Sequence, residues 1–120
     1  MSNVKKIVSL LLLLNVAINC FAKSEQDSLA LVALYNSTGG PNWTNKTNWL
    51  SSEPISNWYG VIVSHNRVTW VDLHGNNLVG KLPLDIGKLA NLEILKLGGN
   101  LLTGSIPSEI SNLTNLTYLA

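Results

Sequence analysis

One phrase of the sequence occurs twice, 24 residues apart. The letters NNLVGKLP at 76–83 return as NLLTGSIP at 100–107, and the agreement continues on both sides at the same offset. The matching positions are Val71, Leu73, Asn76, Leu78, Gly80, Leu82, Pro83, Ile86, Leu89 and Leu92, paired with Leu95, Leu97, Asn100, Leu102, Gly104, Ile106, Pro107, Ile110, Leu113 and Leu116. A tandem repeat of this length predicts a solenoid, because each unit buries its apolar side chains against the next.

The offset divides the second half of the chain into repeat units. Two are complete, at 68–91 and 92–115, and a partial third occupies 116–120. In the first unit Val71 and Leu73 alternate with residues that face solvent, which is the periodicity of a β-strand. We therefore expect parallel strands from successive units to stack, with their inward side chains forming one continuous core.

Each unit also carries the residues of a sharp corner after its strand. An Asn amide can satisfy backbone groups that a turn would leave unpaired, and Gly permits a tight backbone. The Pro that follows favours an extended return path on the convex side. These residues are Asn76, Gly80 and Pro83 in the first unit and Asn100, Gly104 and Pro107 in the second.

The first 22 residues have the pattern of a secretory signal peptide. Lys5 and Lys6 precede the apolar run Ile7–Ile18, and a small-x-small site ends at Ala22. Twelve residues are fewer than the roughly 20 that cross a bilayer, so we predict no membrane span. Two alternatives to cleavage after Ala22 are an uncleaved anchor and a lipoprotein-like box that leaves Cys20 acylated. The prediction is a protein that is secreted or held at the cell surface.

Composition excludes several classes of partner. Without Lys5 and Lys6, six of the eight basic residues remain against seven acidic ones, so a basic face for nucleic acid or anionic lipid is not indicated. Cys20 is the single cysteine, and a chain cleaved after Ala22 has none. Disulfides therefore cannot hold the exported form together.

Residues 23–67 have the features of a cap that precedes the repeats. Ser24 and Asp27 resemble a capping box and predict a helix over 24–38, which the sequence TGGP at 38–41 ends. The Asn-, Thr- and Ser-rich loop that follows carries three tryptophans. They either stack on a sugar or are buried against the first repeat, and burial is favoured because an open solenoid end must be covered. The tryptophans are Trp43, Trp49 and Trp58.

Two strands joined by a tight turn complete this segment. Tyr59–Val63 and Val68–Leu73 are rich in β-branched and aromatic residues, and Ser64–Arg67 lies between them. The pattern predicts a hairpin whose second strand is also the strand of the first repeat.

The consensus LxGxIPxxIGxLxxL resembles the plant-type subclass of leucine-rich repeats, which is found in receptor-like kinases and in many secreted bacterial proteins. The segments LVALYNSTGGPNW, NWL and WYGVIV resemble the N-terminal cap of the same proteins. The resemblance implies an α/β solenoid with a parallel concave β-sheet and a helix-containing N-terminal cap. The matching repeat residues are Leu78, Gly80, Leu82, Pro83, Ile86, Gly87, Leu89 and Leu92, then Leu102, Gly104, Ile106, Pro107, Ile110, Leu113 and Leu116, with Ser111 in place of the second glycine of the consensus.

The cap departs from the plant pattern at one point. The family usually has Cys-x-Trp-x-Gly-Val-x-Cys, with the cysteines paired, whereas this chain reads SNWYGVIV with Ser56 and Val63 at those positions. Apolar packing must replace that disulfide. The departure favours the cysteine-free bacterial variant over a plant receptor.

In this family the concave strand face usually binds partners. The outward positions predict a row of Trp70, Ile94 and Tyr118, with Asp72 beside Lys96. This row is either a recognition patch with an aromatic anchor or a set of cross-strand pairs that stabilise the sheet. The remaining outward positions are His74, Gly98 and Ala120.

No catalytic or cofactor pattern accompanies these residues. Asp72 and His74 share one side of a strand, but two ligands are too few for a metal and Lys96 would repel a cation. The sequence has no nucleophile elbow and no phosphate-binding glycine motif. We expect a protein that is not an enzyme and needs no cofactor. Asn-x-Ser/Thr sequons begin at Asn36, Asn42, Asn45, Asn112 and Asn115, and glycosylation there depends on the host.

The function predicted from these features is extracytoplasmic recognition of a protein or peptide through the concave face. Two alternatives stay open: a ligand-binding or targeting part of a larger secreted enzyme or receptor, and a surface adhesion protein. Because leucine-rich coils bury their core only against neighbours, we also expect the chain to be the N-terminal part of a longer or truncated array. Its C-terminal end would otherwise be uncapped and prone to self-association.

Overall fold

The computed structural model describes residues 2–120, and it describes their side chains except at 2, 3, 5, 9 and 11–22. One α-helix, α1, runs over Ser2–Ser37. The strands are β1 Val61–Ser64, β2 Arg67–Asp72, β3 Val79–Gly80, β4 Ile94–Lys96, β5 Leu101–Leu102 and β6 Tyr118–Leu119. Short 3-10 helices cover Gly40–Asn42, Ile55–Asn57, Leu84–Lys88 and Ser108–Asn112. The main sheet has the order β1-β2-β4-β6, and β3 and β5 form a second sheet.

The main sheet stacks the repeats in parallel. β2 pairs with β4 and β4 with β6, so that Val71, Leu95 and Leu119 lie side by side. The side chains of Val71 and Leu95 are fully buried, and they belong to one core that continues into the cap. The predicted α/β solenoid is confirmed.

β1 adds an antiparallel strand to the edge of this sheet. It pairs with β2 in the predicted hairpin, through a turn in which His65 and Asn66 have φ of 52° and 63°. Two consecutive residues with positive φ suit a tight turn, because its twist then matches that of the flanking strands. The hairpin thus joins the cap to the first repeat without a break in the sheet.

The two corner asparagines link each unit to its neighbour. Asn100 Oδ1 accepts the backbone N–H of Asn76 at 2.8 Å, and Asn100 Nδ2 donates to the carbonyl of Leu73 at 2.8 Å. Asn76 in turn exchanges two hydrogen bonds with the backbone of Asn45 in the cap, at 2.8 and 2.9 Å. The repeated Asn therefore satisfies the backbone groups of the preceding corner, one unit at a time.

The return path on the convex side is helical, not extended as the prolines suggested. Pro83 and Pro107 are extended, with ψ of 153° and 142°, but each is followed at once by a 3-10 helix. The backbone N–H of Ile86 closes the first helix by donating to the carbonyl of Pro83 at 3.1 Å. The prediction of an extended return path was wrong because a proline constrains its own φ and the residue before it, not the residues that follow. The turn brings the Ile86 side chain into the core, where it is fully buried.

The helix of the cap does not begin at Ser24. α1 continues through this position from Ser2, so Ser24 and Asp27 form no capping box. A cap is needed only where a helix begins, and the Leu-rich residues before Ser24 favour helix themselves. Among the side chains of α1 that the structure describes, Asp27 is the first buried one, whereas Val4, Leu10 and most others before it are exposed. None of the helices in the described part of the chain has the length and apolarity that a membrane crossing requires.

Asp27 instead forms a buried ion pair between α1 and β2. Its carboxylate accepts Arg67 Nε at 2.8 Å, Arg67 Nη2 at 2.9 Å and the backbone N–H of Val68 at 2.9 Å. The hydrogen bond to Asp27 raises the pKa of Arg67, while burial opposes the shift. The pair fixes the cap helix to the first strand of the repeats.

The three cap tryptophans are buried, with exposed fractions between 4% and 7%. Each indole N–H donates to a backbone carbonyl: Trp43 to Thr38 at 3.0 Å, Trp49 to Tyr59 at 3.0 Å and Trp58 to Glu53 at 3.1 Å. Their rings pack in sequence with centroids 4.8 and 5.0 Å apart. Because no ring face is open to a ligand, the sugar-stacking alternative was wrong and the tryptophans form the core of the cap.

Candidate functional site

An apolar row crosses all four strands of the concave sheet. Trp70 of β2 pairs in register with Ile94 of β4, which pairs with Tyr118 of β6. On the other side Trp70 pairs with Ile62 of β1. The ends of the row are the most open, with Ile62 51% and Tyr118 49% exposed, and Trp70 and Ile94 are half-buried. We call these four residues the apolar row.

Ile62 is the one member of the apolar row that the sequence pattern did not predict. The 24-residue offset predicts only strands that repeat, and β1 belongs to the cap and runs antiparallel. The signal that could have found Ile62 is the hairpin itself, because pairing across a turn places a specific residue of one strand opposite each residue of the other. A bulge between Ile62 and Val63 shifts the register, which makes that pairing hard to derive from the letters alone.

Lys96 lies beside the apolar row, between its two aromatic side chains. Its Nζ is 5.5 Å from the ring centroid of Trp70 and 5.4 Å from that of Tyr118. Both distances are within the roughly 6 Å at which a cation is attracted to an aromatic face. The ammonium therefore has a preferred position over the centre of the sheet.

Asp72 and His74 form a polar pair at the end of β2. Asp72 Oδ1 accepts His74 Nδ1–H at 2.6 Å and the backbone N–H of His74 at 3.2 Å. Burial would raise the pKa of Asp72, but the bonds from His74, with the positive charge of Lys96, lower it below its ordinary value. The Asp72 carboxylate thus stays charged and is directed at His74, although Lys96 lies opposite Asp72 in the register.

This arrangement suits binding by contact. It offers a strip of apolar surface flanked by one cation and one bonded carboxylate. Among the residues whose side chains the structure describes, no three His, Cys, Asp or Glu come close enough to hold a metal ion. Six of the predicted outward residues form the predicted binding site and lie on or just beyond β2, β4 and β6, and these are Trp70, Asp72, His74, Ile94, Lys96 and Tyr118.

The repeats match a known family model. The model described as Leucine Rich Repeat covers residues 63–89 and 91–113, which include β2, β4 and both corner asparagines. The two matched segments are leucine-rich repeats. The resemblance of the chain to receptor-like kinase ectodomains extends into the cap, because the matches described next cover more of the chain than the two repeats.

Three known proteins illustrate the resemblance. A "Probable leucine-rich repeat receptor-like protein kinase" of Arabidopsis thaliana is 39% identical over 74 residues, which is 59% of this chain and 7% of the kinase. A plant ice-binding protein has a TM-score of 0.66 at 28% identity, over 78% of this chain and 31% of its own. The PEPR1–AtPEP1 structure has a TM-score of 0.63 at 28% identity, over 75% of this chain and 13% of its own. The chain therefore spans less than a third of each of these proteins.

Proposed function

We propose that this protein is an extracytoplasmic recognition module that binds a protein or peptide through its concave face. The observation that carries the proposal is the apolar row, which leaves about half of Ile62 and Tyr118 uncovered on a sheet surface. Aromatic side chains on an apolar patch are the usual anchors of protein interfaces. PEPR1, whose fold resembles this chain, crystallised with AtPEP1.

The competing explanation is that the row only stabilises the sheet. Cross-strand pairs contribute about 0.2–1 kcal/mol each, and they do so by covering one another. In this row the two terminal side chains have a neighbour on one side only. Lys96 adds attraction to Trp70 and Tyr118 without covering either ring completely, so surface remains for a partner.

A random peptide library displayed on phage tests the proposal against the immobilised protein. We expect peptides to be enriched, and Trp70→Ala and Tyr118→Ala to weaken their binding by about thirtyfold, since loss of an anchor costs about 2 kcal/mol or more. Leu101→Ala is the matched control, because Leu101 is 64% exposed but lies on β5 of the second sheet. Thermal melts check that each variant is folded. If enriched peptides bind all three variants equally, the concave face is not the site.

Export is part of the same proposal. The protein is cleaved after Ala22. The support from the fold is that the described core contains no residue before Asp27, so removal of 1–22 leaves the described core contacts intact. N-terminal sequencing of secreted protein should return Lys23 as the first residue. A product that keeps 1–22 in the membrane contradicts cleavage, and a lipid mass on Cys20 would establish the anchored alternative.

A second candidate is the ligand-binding part of a larger receptor-like protein. It is favoured by the short stretch of the kinase, 7%, that this chain matches. An antibody raised against the cap loop 42–58 distinguishes the two on a blot of source cells. A band well above the 13.0 kDa of this chain is expected for the larger protein. A single band at or below that mass excludes it.

A further inference from the structure

We propose that the partner of the apolar row carries a carboxylate, from an Asp or Glu side chain, that binds to the ammonium of Lys96. The inference rests on the proposed function and specifies the chemistry of its ligand. The observation behind it is a cation held at the centre of an apolar surface, 5.5 Å and 5.4 Å from two aromatic rings.

The Lys96 ammonium is free to accept such a partner. Among the described side chains it takes part in none of the ion pairs, which join Arg67 to Asp27, His74 to Asp72 and Lys88 to Asp85. The nearest acidic residue in the register is Asp72, whose Oδ1 already accepts two bonds from His74. A lysine ammonium has three donors, and the aromatic rings use none of them as hydrogen bonds to oxygen.

The charges around Lys96 favour a group with a single negative charge. Asp72 retains its own charge two strand positions from the apolar row, so a dianion such as a phosphate ester would meet repulsion from it. A monoanion is neutralised by Lys96 alone, whereas a dianion would leave one charge unpaired on the apolar surface, where loss of water is costly. In a peptide near neutral pH, the side chains of this kind are those of Asp and Glu.

The spacing of the sheet indicates the length of the segment. Four strands about 4.8 Å apart give the apolar row a span of about 14 Å, which an extended peptide covers with about four or five residues at about 3.3 Å each. The backbone of Lys96 lies two residues beyond Ile94 on β4, about 6.6 Å to one side of the row, and its side chain places the ammonium between the two rings. The acidic residue should therefore occur within about two positions of a large apolar one.

The test uses the peptides enriched from the random library and their amide twins, in which Glu is replaced by Gln or Asp by Asn. The protein should bind the acidic form about tenfold more tightly, as expected for a charge-assisted hydrogen bond at a half-buried site. Lys96→Met keeps the apolar stem and should bind the two forms equally, whereas Lys96→Arg should retain a preference. Lys81→Met removes an exposed lysine elsewhere and should behave as the unmodified protein.

The outcomes separate this inference from the proposed function. Some enriched peptides could require Trp70 but have no acidic residue, or have amide twins that bind equally well. Such peptides would overturn the inference of a carboxylate, while the proposal that the concave face binds peptides would stand. A phosphoserine that binds more tightly than Glu at the same position would also overturn it, in favour of a dianion. If no peptide is enriched, or if enrichment is unchanged in Trp70→Ala, the proposed function fails and the inference fails with it.

Discussion

The two complete repeats share one consensus pattern, yet their equivalent apolar residues are buried to different extents. Leu78 in the first unit is fully buried and its equivalent Leu102 is half-buried. Ile86 is likewise buried, whereas Ile110 is half-buried. The first unit packs between the cap and the second unit. Burial in a solenoid is thus decided by the neighbours of a unit and not by its own sequence.

The second unit has an apolar groove on the side that has no complete neighbouring unit in the structure. This groove of about 390 Å³ lies along the outer side of the unit, among the residues that in the first unit contact the next coil. Its walls are apolar because the consensus places leucine there in every unit, whether or not a neighbour is present. The groove is lined by Leu82, Leu97, Leu102, Ile106 and Leu119 with neighbouring small residues.

The largest loss of stability should come from breaking the ion pair that joins the cap to the first unit. Asp27→Ala leaves Arg67 without its partner in a buried setting and should lower the free energy of unfolding by about 3–5 kcal/mol. Asp85→Ala is the matched control, since its ion pair with Lys88 is about 40% exposed and should contribute about 1 kcal/mol or less. Urea denaturation measures both. Equal effects would show that the cap is not held by this pair.

A core truncation tests the comparison between the units directly. Leu78→Ala creates a cavity in the fully buried first unit and should cost about 2–5 kcal/mol. The same change at Leu102 removes a half-buried side chain at the open groove, where solvent can fill the space, and should cost about 1 kcal/mol. If thermal or urea melts give the two variants the same stability, the second unit is covered in solution.

For the corner asparagines, the larger loss of stability should come from the second unit and not from the first. Asn100 is the less buried of the two, but its amide bonds Asn76, Leu78, Leu73 and Leu97, whereas Asn76 bonds Asn45 alone. Asn100→Ala should therefore cost about 2–3 kcal/mol and Asn76→Ala about 1–2 kcal/mol, because each lost bond leaves a backbone group unpaired. The measurement is again urea denaturation. A larger loss at Asn76 would mean that burial outweighs bonding at these corners.

The sequence predicted the parts of the fold that repetition determines. The strand positions of β2, β4 and β6 and the corner role of Asn76 and Asn100 follow from one offset and one pattern. The hairpin turn between β1 and β2 was also placed, because its residues are local signals. At the two positions where the plant pattern has cysteines, Val63 packs against the core but Ser56 is exposed, so apolar contact forms at only one of them.

What the sequence could not show are contacts between distant residues with no shared pattern. Asp27 and Arg67 are 40 residues apart. An acidic residue in the first turn of a predicted helix is interpreted as part of a helix cap unless its partner is known. Ile62 joins the apolar row through antiparallel pairing with a bulge, which the repeat offset does not describe. The position of Lys96 between two rings depends on side-chain direction, which the strand pattern leaves open.

The smallest effect concerns the outward face, where the two units differ in charge. The first unit has Asp72 and His74, and the second has Lys96 and Gly98 at the equivalent positions. His74→Ala removes the side-chain bond that lowers the pKa of Asp72 and keeps the backbone one, so the pKa should rise toward its ordinary value of 3.8. Lys96→Met should raise it by less, since the lysine acts by charge alone and contributes least. Carboxylate chemical shifts in an NMR titration report both.

The sign of the stability change follows from the same shift. A carboxyl group with a lowered pKa in the folded state stabilises the fold above its unfolded pKa, and this contribution is lost as pH falls through the folded pKa. The unmodified protein should thus lose slightly more stability than His74→Ala when the pH is lowered from neutral to below that folded pKa. The difference is small because Asp72 lies at the surface, where water screens its bonds. A pKa of Asp72 that does not move in His74→Ala would mean that Lys96 and the backbone, and not the imidazole, determine the charge on this face.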